Sequence, residues 1–79
     1  MHAFVRSSPA YVTAVEAYQR ENSLGVDSDI GYCYLCSTRI SYGNGAWHYR
    51  FSLVDARSGE KIRAHVRSPA ADGSTVTFN

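Results

Sequence analysis

RISYGNGAWHYRFSLV, residues 39–54, holds two alternating runs around a glycine-rich turn. In the second run Trp47, Tyr49, Phe51 and Leu53 alternate with Ala46, His48, Arg50 and Ser52. Successive strand residues point to opposite sides, so one face is aromatic and the other basic. Asn44-Gly45 between the runs is a strong hairpin signal, because a type I′ turn needs positive φ at both central residues. Pairing Gly43 with Ala46 sets the register. Tyr42 then faces Trp47, Ile40 faces Tyr49, Thr38 faces Phe51 and Cys36 faces Leu53, all on one side.

The next turn, DARSGE (55–60), supports the same choice of core face. A four-residue loop from Ala56 to Gly59 puts glycine where positive φ is wanted. Leu53 then meets Ile62, Phe51 meets Ala64 and Tyr49 meets Val66. Residues expected to be buried are Trp47, Tyr49, Phe51, Leu53, Ile62, Ala64 and Val66. The first strand of this meander is read as 32–42, YCYLCSTRISY. A final strand is expected over 74–79, with Val76 and Phe78 in phase.

Upstream, HAFVR (2–6) reads as a short strand. Ser8-Pro9 reads as a helix N-cap followed by the first helical position, where proline's missing N–H costs nothing. Tyr11, Ala14, Val15 and Tyr18 recur at helical spacing, and Gly25 is placed to end the helical region. The expected fold is α+β, in the order β-α-β-β-β-β. One helix covers the aromatic face of a four- to five-stranded antiparallel sheet, because nothing else is available to cover it.

The chain has 79 residues and is read as one domain, residues 1–79. At that length only about 60% of the unfolded surface is buried. Six Tyr, three Phe and one Trp make an aromatic core plausible at this size. No run approaches the roughly 20 apolar residues of a membrane span. The N-terminus lacks the apolar stretch of a signal peptide, so a cytoplasmic location is expected. Net charge is +1, small for a general polyanion binder. Charge is uneven, however, with acidic residues in excess up to residue 30 and basic residues in excess after it. The preference for Arg over Lys suggests a GC-rich coding sequence, hence a bacterial or phage source.

The order of elements resembles the cystatin/monellin-like fold. AVEAYQRENS (14–23) is similar to the plant-type cystatin helix, which reads like AVDEYNKKEN. AWHYRFSLVDARSGEKIRAHVRSP (46–69) resembles that family's strand–turn–strand ending in V-x-x-P. The resemblance covers about residues 12–69. It implies the scaffold, with contacts made by an N-terminal segment and two hairpin loops. The inhibitory motif Q-x-V-x-G reads Arg39-Ile40-Ser41-Tyr42-Gly43 here, matching only at Gly43. The family's Pro-Trp reads Pro69-Ala70, and no glycine precedes the helix.

Cys33 and Cys36 form C-x-x-C. Within one strand they point to opposite faces, Cys36 inward and Cys33 outward, which favours structural cysteines. A metal site completed by His48 and His65, or a redox pair, are the alternatives. No cofactor is expected. No catalytic motif or nucleophile–base spacing is present, so the chain is read as noncatalytic.

The outer sheet face carries the chemistry. Arg39, Arg50 and His65 fall in one row, flanked by His48, Arg63 and Arg67. Like charges placed opposite one another destabilise a sheet, so a solvated surface and an anion-binding face are the competing readings. With Tyr42, Gly43 and Asn44 of the hairpin tip, these form the candidate binding set. The expected partner is a larger protein with an acidic surface, in the manner of a stoichiometric inhibitor; anti-CRISPR proteins of phages are one such class. A nucleic-acid-binding module and a divergent cystatin-type protease inhibitor are the alternatives. No membrane partner is expected. Cys33, Leu35, Val54 and Ala56 form a small apolar patch that could serve self-association.

Overall fold

A computed structural model describes residues 9–68 and 76–78. Helix α1 (Pro9–Glu21) is followed by β1 (Ile30–Tyr32), β2 (Arg39–Gly43), β3 (Ala46–Asp55), β4 (Glu60–Ser68) and β5 (Val76–Phe78). The strands form one five-stranded antiparallel sheet, giving the expected α+β arrangement. The strand expected at 2–6, the N-cap at Ser8 and the loop residues 69–73 lie outside the described residues.

Ten-residue β3 is the centre of the sheet. One of its edges pairs with β4, which in turn pairs with β5. Its other edge takes β2 and then β1, one after the other. Asn44 and Gly45 have φ of 52° and 77°, as a type I′ turn requires. The β2–β3 register follows from that turn, from Gly43 opposite Ala46 to Arg39 opposite Arg50. Gly59 also has positive φ, and Asp55 stands opposite Glu60, so the second hairpin closes as its sequence indicates. That loop is fastened by Asp55. Its carboxylate accepts the Arg57 backbone N–H at 3.1 Å and the guanidinium at 3.0 and 2.7 Å. These Arg57 side-chain hydrogen bonds hold the Asp55 carboxyl below its ordinary range.

Phe51, Leu53 and Val66 are fully buried, with Tyr32, Ile62, Ala64 and Val76 around them. The helix meets this layer with Ala10, Ala14, Ala17 and Tyr18. Three alanines on one face let the helix approach the sheet closely, while rings fill the margins. Tyr11 lies edge-on to Tyr32 at 6.2 Å, and Tyr18 edge-on to Phe78 at 5.8 Å. The helix ends earlier than Gly25. Ser23 takes the left-handed conformation at φ 57°. The Ser23 amide donates to Arg20 O and the Leu24 amide to Gln19 O, which completes a Schellman motif.

Three expectations are corrected. The strand read as 32–42 is two strands, because Cys33 and Cys36 are joined in a disulfide that closes a turn between them. Tyr32 stands opposite Leu53 and Arg39 opposite Arg50, so the edge takes seven steps where β3 takes three. The four extra residues leave as the turn. Thr38 therefore does not pair with Phe51, nor Cys36 with Leu53, and the Cys33 amide, not Ser37, meets Ser52. Four is an even number, so the inward and outward faces survive the shift, and Tyr32 points into the core.

Trp47 is 49% exposed and its neighbour Tyr42 63% exposed, against the expectation that Trp47 is buried. The helix makes its main contacts with β4 and β5 rather than with β2 and β3. The two rings stack edge-to-face at 5.1 Å instead. Finally, Cys33, expected to contribute to the apolar patch, is buried and disulfide-bonded, so it cannot serve that patch. Leu35 and Ala56 are exposed and Val54 is half-buried.

Candidate functional site

The turn chemistry that fixes the register also decides what shares the outer face. Opposite pairs Arg39–Arg50, Arg50–His65, His48–Arg67 and Ser52–Arg63 gather the basic residues on β2, β3 and β4. Lys61, opposite Val54, extends the same face, giving five cations there with Arg39, Arg50, Arg63 and Arg67. No Asp or Glu occupies an outward position in these ladders. Among the described residues the only ion pair is Asp55–Arg57, which lies elsewhere.

The face is built in three parts. Arg39, Arg50 and Arg67 are exposed. Arg63 is half-buried and held, its Nη1 donating to the Ser37 carbonyl and, at 3.3 Å, to the Ser52 hydroxyl. Arg63 thereby ties the disulfide turn to the sheet from the outer face. The Tyr32 and Thr38 hydroxyls, hydrogen-bonded to each other, tie it a second time.

The third part is a diagonal histidine pair. His48 Nδ1 and His65 Nε2 are 3.1 Å apart, and His48 Nε2 is 3.2 Å from the Gly43 carbonyl. A carbonyl only accepts, so His48 Nε2 carries a proton. In the neutral ring Nδ1 is then an acceptor, and His65 Nε2 must donate to it. His65 Nδ1 is left as an acceptor. The His65 pKa is lowered from its ordinary value, first by burial and then by the charges of Arg50, His48 and Arg67.

Beside this pair lies a hollow of about 330 Å³ lined by Arg50, Arg63, Ala64, His65 and Thr77. Thr77 was not singled out in the sequence. It stands opposite His65, and the alternation Val76-Thr77-Phe78 already marked it as outward. The roles of the Ser37 and Gly43 carbonyls had no signal, because both depend on backbone placement. Tyr42 and Asn44 are exposed at the hairpin tip, apart from the arginines.

The four residues proposed as a metal alternative are not assembled. The two sulfurs are bonded to each other, and the described residues contain no group of three His, Cys, Asp or Glu side chains placed for a cation. No helix among the described residues is long and apolar enough to cross a membrane. No family model, curated protein or solved structure matches this chain.

Proposed function

We propose that this is a noncatalytic binding protein that docks its basic sheet face on an acidic surface of a larger protein. The observation that carries the reading is the convergence of five cations on one face with no carboxylate among them. Uncompensated like charge on a rigid sheet lowers fold stability, and an acidic partner relieves that cost. The same field steers association and disfavours basic partners. A domain that works this way acts by occupying a surface, as stoichiometric inhibitors such as anti-CRISPR proteins do. The cystatin-like order of elements fits a scaffold for such contacts.

Nucleic acid is the weaker reading. Of the exposed rings, Tyr42 and Trp47 belong to the opposite side of the sheet from the arginines, and Tyr34, in the disulfide turn, packs edge-on against Tyr32 at 5.0 Å, so no row of rings lies beside the arginines for bases to stack on.

Arg63 is a poor residue to reverse, because it also holds the turn. The double variant Arg50→Glu/Arg67→Glu changes two exposed positions instead. A partner identified by affinity capture should lose affinity for this variant by at least tenfold, while Arg20→Glu on the helix leaves it unchanged. The wild type should bind DNA and RNA weakly near 0.15 M salt. Tight binding to nucleic acid of any sequence, falling steeply with salt, would overturn the reading.

A further inference from the structure

The hollow beside the histidine pair has the donors of an anion socket. Arg63 spends Nη1 on Ser37 and Ser52, which leaves Nε and Nη2. Arg50 is exposed, and no carboxylate pairs with it among the described residues. Thr77 adds a hydroxyl from β5. Donors thus come from three strands around one space. A tetrahedral oxyanion presents oxygens in several directions and suits this better than a planar carboxylate, which is met best by one guanidinium fork.

His65 is the exception in this set. Its Nε2 is engaged with His48, so the ring nitrogen left for the hollow is Nδ1, an acceptor while the pair is neutral. An anion beside that lone pair is repelled. One added proton reverses the situation, and it does so whichever ring takes it. If His65 is protonated, Nδ1 gains a hydrogen directly. If His48 is protonated, its Nδ1 donates to His65 Nε2, and the hydrogen of His65 moves to Nδ1. In both cases the bonds between the rings and to Gly43 survive. A second proton would set two N–H groups against each other at 3.1 Å, so the pair holds one proton between them.

We propose that the hollow formed by Arg50, Arg63, His65 and Thr77 is a socket for one tetrahedral oxyanion, a phosphoryl or sulfuryl group, and that the His48–His65 pair takes up one proton from solvent as the anion enters. This rests on the reading of the basic face as a contact surface and names the group recognised there. The groups facing the pair are Arg39 from β2, Arg50 from β3, Arg63 and Arg67 from β4, and Thr77 from β5. All the charged ones are cations, so without an anion they oppose protonation. The depressed His65 pKa agrees with that sign. An anion cancels their field and raises the proton affinity of the pair.

Sulfate is the probe, because it does not titrate between pH 5 and 8. The wild-type chain is titrated with sodium sulfate at constant ionic strength, with histidine ring resonances followed by NMR. Saturable binding should raise the apparent pKa of the pair by about one unit, so that sulfate binds about three- to sixfold more tightly at pH 5.5 than at pH 7.5. Arg50→Gln should abolish saturation. His65→Gln should bind weakly and equally at both pH values. Absence of saturation in the wild type, or equal affinity at the two pH values, would overturn the proposal.

The source of the group is read by displacing bound sulfate at pH 5.5. A phosphoserine peptide displaces it if the partner is a phosphorylated protein, and adenosine monophosphate does so if the site reads nucleotides. Displacement by neither refutes phosphoryl recognition. The docking reading fails separately. Partner affinity insensitive to Arg50→Glu/Arg67→Glu, with sulfate binding intact, leaves the socket and removes the docking face. Loss of the partner in that variant, with no saturable sulfate binding in the wild type, does the reverse.

Discussion

His48 and His65 sit diagonally across β3 and β4 among arginines. Burial and the neighbouring cations lower the folded-state pKa of His65 below that of the unfolded chain, where an unperturbed imidazole titrates near about 6.5. Between those two values the unfolded chain binds more protons than the folded one. The stability that His65 contributes is therefore full above about pH 6.5 and is lost as pH falls through that value toward the folded pKa. Urea unfolding from pH 8 to pH 5 should show wild-type stability declining relative to His65→Gln, and sulfate should reduce the decline. A wild type that gains stability against the variant as pH falls would mean the ring is stabilised in its charged form. The position of both histidines on the outer face was legible in the alternation around Phe51. Their contact was not. A diagonal pair forms only when both rings choose rotamers toward each other, and sequence alternation carries no information about that choice.

The element that the sequence misrepresents is the edge strand. TyrCysTyrLeuCys alternates well enough to pass for strand, and residues i and i+3 of a strand diverge. A disulfide changes the backbone rather than the side chains. Once Cys33 and Cys36 are bonded, the chain must turn, and β1 and β2 pair separately with the two halves of β3. The closed loop spans four residues, for which loop entropy gives a stabilisation of about 2 kcal/mol. Such a bridge also depends on redox compartment, since cytosolic thiols are usually kept reduced. Reduction, or Cys33→Ser/Cys36→Ser, should lower Tm by roughly 8–16 °C for a chain of this size. Calorimetry with and without reductant measures this. The variant should also loosen the contact of Arg63 with Ser37, visible as faster exchange of the residue 33 amide, which donates to the Ser52 carbonyl. An unchanged Tm would show that the turn is held by the Tyr32–Thr38 and Arg63–Ser37 contacts without the bridge.

At the scale of the whole molecule, two turns determined most of what could be read. Asn44-Gly45 and Gly59 each fix a register, and the registers agree on which face takes the helix. That agreement places Phe51, Leu53, Ile62, Ala64 and Val66 in the core correctly. It fails at Trp47, which shares their parity but stands half-exposed. Parity tells which face a residue occupies, whereas burial depends on where the covering element lies. A 13-residue helix is about 20 Å long, and ten-residue β3 is about 33 Å. The helix cannot cover the whole strand, and it packs toward β4 and β5. The energetics should follow coverage rather than residue size. Phe51→Ala removes a fully buried ring and should destabilise by about 3–5 kcal/mol. A chain of this length has about 4–12 kcal/mol in total. Trp47→Ala deletes a larger side chain but loses chiefly its edge contact with Tyr42, at about 1 kcal/mol. Denaturant midpoints of the two variants decide the point. If Trp47→Ala proves as damaging as Phe51→Ala, the hairpin tip is part of the core, and Tyr42 and Trp47 are not available to a partner.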